Sequence, residues 1–417
     1  MKLLHTSDWH VGKAIRGHSR ADEHRAVLAE IATVAAAEAV DLIVVAGDLY
    51  ETAAPSAESE GIVNRALLAL AEVAPVVAVA GNHDNPRRLA AVEPLFSLGR
   101  ITLVAEPRAP QSGGLQHIRT EAGDEVAVAF LPFVSQRAIV RADELMANAG
   151  FENAQTYADR LQRVVAALCA GFDADHVNLV VGHAFVHGGQ LGGGERPAHL
   201  VDEYALSAVD FPPSATYVAL GHLHRAQQML GATAIHFSGS PLQLDFGEEA
   251  QTKQVNIVQA EPGLPAKVQG VPLQSGRSLR TVTGTVAQLR ALAEDPDSGP
   301  ELAEAWVRAR VTEPGRAGLA DEVRTALGPS VVDVRIEQHI EARPRRDRDG
   351  RSPVELFAEY LAEQGVADAA LEARFAELHE EAGVGSDELD EDDTPSVDLT
   401  EPIVDASSDG VGQETLL

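Results

Sequence analysis

The chain's 417 residues suffice for two or three domains with a sizeable core, and 45% hydrophobic with 23% charged residues is the balance of a globular protein. No run nears the ~18 to 20 apolar residues of a membrane span, the start lacks an export signal's apolar stretch, and the single cysteine, Cys169, excludes an internal disulfide and a thiolate zinc cage, so the expected setting is the reducing cytoplasm with any metal held by His, Asp, Asn or Glu. A net charge of −30, still −19 without the eleven acids of residues 386–417, excludes an isolated nucleic-acid binder unless metal ions, local arginines or a partner supply the positive field.

The first part of the chain alternates β-branched apolar runs with helical patterns, as βα units do. Residues 42–46, 76–80, 177–181 and 217–220 read as short buried strands, each running into a turn with glycine. Between them, Val27, Ile31 and Val34, then Val63, Leu67 and Leu70, recur at i, i+4, i+7 and give each helix one apolar stripe. A strand-rich stretch covers 234–258. The spacing predicts α/β architecture over 1–275.

A cluster of Pro, Gly and Ser at 269–277 marks a boundary. Beyond it, 279–286, 306–311 and 331–336 read as strands and 287–293 and 318–327 as helices, a small α+β domain over 276–342. Val307, Ala309 and Val311 alternate with Arg308 and Arg310, which predicts one buried face and one wet, basic face. A charged linker is expected at 343–351. In the helix pair expected over 352–385, Ser352, Pro353 and Glu355 supply the start, Val354, Phe357 and Leu361 line the first helix, and Leu371, Phe375 and Leu378 line the second. The acidic stretch 386–417 is too poor in apolar residues to fold.

Five blocks share one design, an apolar strand followed at once by metal-capable side chains on a turn. They are Asp8-Trp9-His10, Gly47-Asp48, Gly81-Asn82-His83-Asp84, Gly182-His183 and Gly221-His222-Leu223-His224. The carboxyl ends of strands are where α/β sheets gather ligands, because loops converge there from fixed origins. A lone D-x-H or G-H is ordinary turn chemistry. All five in this order make a mixed set of carboxylates, amide and imidazoles that suits Mn²⁺ or Fe²⁺ and accepts Zn²⁺.

This set resembles the calcineurin-like metallophosphoesterase superfamily and, within it, the family of nuclease subunits of bacterial SbcCD complexes. The second likeness rests on Ser238-Gly239-Ser240-Pro241 leading into Phe246-Gly247-Glu248, on the small module and on the terminal helices, and it spans about residues 1–385. The resemblance implies a sandwich of two β-sheets flanked by helices over 1–275, an α+β capping domain, and a partner-binding helix pair. It implies two divalent ions, Mn²⁺ by preference, one held by Asp8, His10, Asp48 and His224 and the other by Asp48, Asn82, His183 and His222. His83 would lie beside the phosphate as acid or transition-state stabiliser, with Asp84 orienting its ring. Archaeal and eukaryotic relatives often carry a histidine three residues after the bridging aspartate; that position is Glu51 here, which leaves His83 as the candidate for the leaving group.

The implied activity is Mn²⁺-dependent exonuclease and endonuclease action on double-stranded DNA in repair and recombination, cleaving ends and hairpins. The implied partner is an SbcC-like ATPase, with a homodimer of the nuclease inside a heterotetramer and no membrane attachment. A phosphomonoesterase or small-molecule phosphodiesterase would use the same ions, but the length of the chain argues against it. A scaffold whose metal only stabilises the fold is disfavoured by the complete donor set. His5, His18, His24, His117, His176, His199, His236, His339 and His379 lack ligand neighbours and read as structural or solvent histidines, with His187 intermediate. The run 188–196 has five glycines but no phosphate-loop lysine, so it is expected as a mobile loop rather than a nucleotide cradle.

Overall fold

A computed structural model describes residues 1–135, 139, 157–195, 205–336, 352–363 and 368–383; the expected linker at 343–351, the acidic stretch at 386–417, His199 and His339 lie outside the described residues. The chain begins with β1 (Lys2–Thr6) and a hairpin of β2 (Ala14–Ile15) and β3 (His18–Ser19). Helix and strand then alternate through α1 (Ala21–Ala37), β4 (Leu42–Val45), α2 (Ala57–Val73), β5 (Val76–Val79), α3 (Pro86–Phe96) and β6 (Ile101–Val104). Next come β7 (Leu115–Arg119), β8 (Glu125–Leu131), α4 (Tyr157–Cys169), β9 (Val177–His183), β10 (Tyr217–Gly221), β11 (Gln227–Met229) and β12 (Ala234–Phe237). Strands β13 (Gln254–Gln259) and β14 (Lys267–Pro272) close this part.

Among the described residues β2 pairs with β3, and the other strands form two six-stranded sheets, in the orders β14-β13-β1-β4-β5-β6 and β11-β12-β10-β9-β8-β7. Strands β4 and β5 are unbroken apolar runs because both of their faces are covered. Leu42 and Val44 share a core between the sheets with Val128, Phe130, Leu179 and Val181. Their neighbours Ile43 and Val45 turn the other way and join Val27, Ile31, Val63, Leu67 and Leu70 of α1 and α2. Helix α4 covers the outer face of the second sheet, where Leu161, Val164 and Leu168 meet Val180, Val218 and Leu220. The Ser56 side chain caps α2, and Asn85 caps α3 just ahead of Pro86 at the first helical position. Strands β1, β4 and β5 run parallel, as do β9 and β10, so within each sheet the strand ends that carry the donor blocks lie side by side.

The small module runs β15 (Leu279–Gly284), α5 (Val286–Glu294), α6 (Ser298–Glu304), β16 (Trp306–Val311), α7 (Leu319–Leu327) and β17 (Val331–Ile336). Its sheet is parallel, ordered β15-β16-β17, and has its own core around Leu289, Val307, Ala309, Leu319 and Val323. The expected wet face of β16 differs at one residue. Arg308 is buried, with its guanidinium 4.0 Å from the centroid of the Phe246 ring and Nε 3.0 Å from Asp333. A planar cation of low hydration stacks on an aromatic face and pairs with a carboxylate at once, so packing against the 246 turn overrides the alternation that exposes Arg310. Arg277 ties the module down by bonding the carbonyls of Ala303, Glu304 and Ala305 and lying over the Trp306 ring.

The terminal helices α8 (Pro353–Glu363) and α9 (Ala369–Gly383) belong to a separate compact unit. Ser352 and Glu355 form the reciprocal cap expected at the start of α8. Phe357 and Phe375 stack on each other with ring centroids 4.0 Å apart and planes 14° from parallel, while Tyr360, Leu371 and Leu378 are exposed. Among the described residues no helix is long and apolar enough to cross a membrane.

Candidate metal centre

Three of the five donor blocks leave their strands through backbone that few residues tolerate. Asp8, His10 and Asp48 have φ of 53°, 46° and 52°, and His222 has 112°, all in the left-handed region that non-glycine residues avoid. The turns are held by the amides of Asp8 and His10, which donate to the carbonyls of Gly47 and Asp48 at 3.0 Å. Gly81 is required by proximity, since a Cβ there would lie 2.2 Å from Asp48 Oδ1.

The predicted donors meet at one buried place. Asp8, His10 and His224 form one group whose donor atoms all lie within 4.8 Å of one another; Asp8, Asp48 and His183 form a second, and His10, Asp48 and His83 a third. Asp48 Oδ2 lies 3.5 Å from His10 Nε2 and 3.4 Å from His183 Nε2. Asn82 Oδ1 lies 2.8 Å from His183 Nε2 and 2.9 Å from His222 Nδ1. His10 Nε2 and His224 Nε2 are 3.1 Å apart. His187 enters none of these groups of described residues. His5 instead bonds the Tyr217 hydroxyl, and His24 donates to the Arg20 carbonyl.

The donor set fits divalent metal ions. The Nδ1 atoms of His10, His183 and His224 face Glu51, the Ala46 carbonyl and Glu248, so in each neutral ring Nε2 carries the lone pair turned to the centre. Charge points the same way. Burial disfavours a charged His183, yet Asp48 outweighs it and raises the ring to about 9, while His183, His10 and His83 hold Asp48 well below the carboxylate range against its burial. Burial raises Asp8 to about 6, with His183 and His224 drawing it back. Carboxylates so enclosed favour positive charge beside them.

Asp84 takes a different part from the expected one. Its carboxylate accepts from the amides of Leu49, Tyr50 and Gly81 at 3.2, 3.0 and 2.8 Å, so it braces the loops after β4 and β5. Burial and then the charge of Asp48 raise it to about 7. The ring of His83 is oriented by the Glu51 carbonyl, 2.7 Å from Nδ1, and its amide donates to Asp48 Oδ1 at 2.8 Å. The described part of the glycine run lies against the centre. Glu195 accepts from the amides of Gly192, Gly193 and Gly194 and from that of His224, which folds the described part of the run onto the centre.

Several residues around the donors carried no signal of their own in the sequence. Ser7 donates to Asp8 Oδ2 at 2.6 Å, and buried Glu248 pairs with Lys253 at 2.6 Å. Glu248 was visible only as part of a family-like segment, without a partner.

Residues 1–226 match the calcineurin-like phosphoesterase family, and residues 275–365 match the type 5 capsule protein repressor C-terminal domain. Several SbcCD nuclease D subunits are similar to the chain. With that of Bacillus subtilis (strain 168) it is 38% identical over 285 residues, covering 67% of this chain and 71% of that one. With that of Rhodobacter capsulatus it is 31% identical over 383 residues, covering 86% and 94%. With that of Escherichia coli (strain K12) it shares 28% over 326 residues, 75% and 78% of the two chains. Matches of this extent, over the segments that carry the donor atoms, make the chain a metal-dependent phosphodiester hydrolase that belongs to the calcineurin-like phosphoesterases and, within them, to the family of SbcCD nuclease D subunits.

Proposed function

We propose that the chain is the nuclease subunit of a DNA-processing complex, cutting double-stranded DNA at ends and hairpins with Mn²⁺ as its preferred ion. Its partner in this reading is an SbcC-like ATPase, with two copies of each subunit in a heterotetramer. The observation that carries it is the convergence of Asp8, Asp48, His10, His183 and His224, with Asn82 and His222 adjoining, on one buried spot at the strand ends.

Asp8, His10, Asp48 and His224 would hold one ion and Asp48, Asn82, His183 and His222 the other. When bound, the ions would supply Lewis acidity toward water and the phosphate. The chain does the rest by position. The left-handed turns at Asp8, His10 and Asp48 aim the donors inward, and Asp84 keeps two of the loops together. His83, with Nδ1 committed to the Glu51 carbonyl, exchanges its proton through Nε2 and delivers it to the leaving oxygen. Because the chain is strongly acidic, DNA approaches through the field of the ions and of the partner.

The test is cleavage of end-labelled duplex and hairpin DNA by the purified chain, alone and with its ATPase partner, with Mn²⁺, Mg²⁺ and ATP varied and p-nitrophenyl phosphate run in parallel. Mn²⁺-dependent DNA cleavage that a chelator abolishes is expected. Turnover of the phosphomonoester with intact duplex would replace this reading by that of a phosphomonoesterase, and bound metal without turnover of either would leave a scaffold.

Docking of the partner belongs to the terminal helices in this reading. Because Phe357 and Phe375 are engaged with each other, the large apolar side chains exposed among the described residues of these helices are Leu371 and Leu378, seven residues apart on one face of α9, with Tyr360. Leu371→Asp combined with Leu378→Asp is expected to abolish co-purification with the ATPase while Mn²⁺-dependent cleavage by the isolated nuclease continues. Undiminished co-purification would move the docking surface elsewhere.

A further inference from the structure

We propose, resting on the two-ion reading above, that Glu51 and Glu248 are positioning residues that fix His10 and His224 with Nδ1 protonated and Nε2 bare, and so make the position these rings share with Asp8 the tighter of the two. Glu51 Oε2 is 3.0 Å from His10 Nδ1, and Glu248 Oε1 is 3.1 Å from His224 Nδ1. An ionised carboxylate only accepts, so each Nδ1 carries the hydrogen and each Nε2 a lone pair. Those two Nε2 atoms face each other at 3.1 Å beside Asp8, an arrangement of lone pairs that a cation satisfies and a hydrogen bond between neutral rings does not.

The other position is backed differently. His183 donates from Nδ1 to a neutral carbonyl, that of Ala46, at 2.8 Å. An imidazole whose N–H is bound by a carboxylate is the more basic donor through its second nitrogen, and its ring is held in one orientation. Both His10 and His224 have this backing.

The two glutamates are themselves secured. Lys13 lies 2.9 Å from Glu51 Oε1, and Lys253 lies 2.6 Å from Glu248 Oε2, which also accepts from the Leu244 amide at 3.0 Å. Lys253 further donates to Ser240 Oγ and to the carbonyl of His224. These are two of the chain's four lysines, and each compensates a carboxylate that backs an imidazole.

The experiment is a calorimetric titration of the metal-free full chain with Mn²⁺ alone, followed by electron paramagnetic resonance of the bound ion. The unaltered chain is expected to take up two ions in two resolved events. Glu51→Gln and Glu248→Gln are each expected to weaken the tighter event about 10- to 100-fold and to leave the weaker one in place. Asn82→Ala should do the converse. Glu249→Gln, next to Glu248 but bonded to Thr281, should change neither. Glu51 is partly exposed, so its variant carries the test should Glu248→Gln fail to fold. Two unchanged events in both variants, or equal weakening of both events, would overturn the positioning role while leaving two ions in the centre. Uptake of fewer than two ions by the unaltered chain would instead overturn the two-ion reading and this inference with it.

Discussion

Asp48→Ala is expected to leave a chain that retains neither Mn²⁺ nor measurable hydrolysis. Asp48 reaches both halves of the donor set, with Oδ2 about equally far from His10 Nε2 and His183 Nε2 at 3.5 and 3.4 Å and Oδ1 bonded to the His83 amide. Removing it takes a carboxylate from two of the three donor groups, leaving the one with His10 and His83 without any, and frees the loop that carries His83. Asp48→Asn separates charge from shape, since the amide oxygen can still accept from His83. Metal analysis after dialysis and cleavage of labelled DNA check both variants. Near-normal activity in either would sink the shared-ligand arrangement.

His83→Ala should separate chemistry from binding. The expected loss is ~10² to 10⁴-fold in the single-turnover rate, the size typical of a lost acid–base group, with Mn²⁺ uptake nearly intact. The outcome is not foregone, because His83 also lies in a donor group with His10 and Asp48, its ring centroid 4.5 Å from that of His10. If the variant loses an ion as readily as Asp48→Ala, His83 is a ligand and the proton donor must be sought elsewhere. Rapid-quench kinetics beside the same metal analysis distinguish these cases.

Much of the centre was legible in the sequence because its parts are local. A buried parallel strand shows itself as a continuous apolar run, and the turn that ends it needs glycine or a polar residue; donors placed just there at Asp8, Asp48, Asn82, His183 and His222 announce a common edge. Helix α8 was legible for the same reason, as the Ser352 and Glu355 cap is complete within four residues. Asp84 misled because the resemblance implied a contact with the His83 ring, whereas its carboxylate is drawn to amides 34 and 35 positions away that would otherwise be buried without partners. Arg308 misled because alternation along a strand tells which residues share a face and not what later packs on it.

Chain order, strand ends and residue types were thus enough to predict the class of fold and to single out the candidate donors. Only the tertiary structure decided which carboxylate backs which ring. Glu51 reaches His10 across 41 residues and Glu248 reaches His224 across 24, the second by way of a turn set between the main sheets and the small module. Neither spacing repeats a helical or strand period, so nothing in the order of residues encodes the pairing. It follows from tertiary packing: Glu248, enclosed in the interior, must find a donor and a cation and meets His224 and Lys253, while the partly exposed Glu51 is brought against His10 and Lys13 by the turn that follows Asp48.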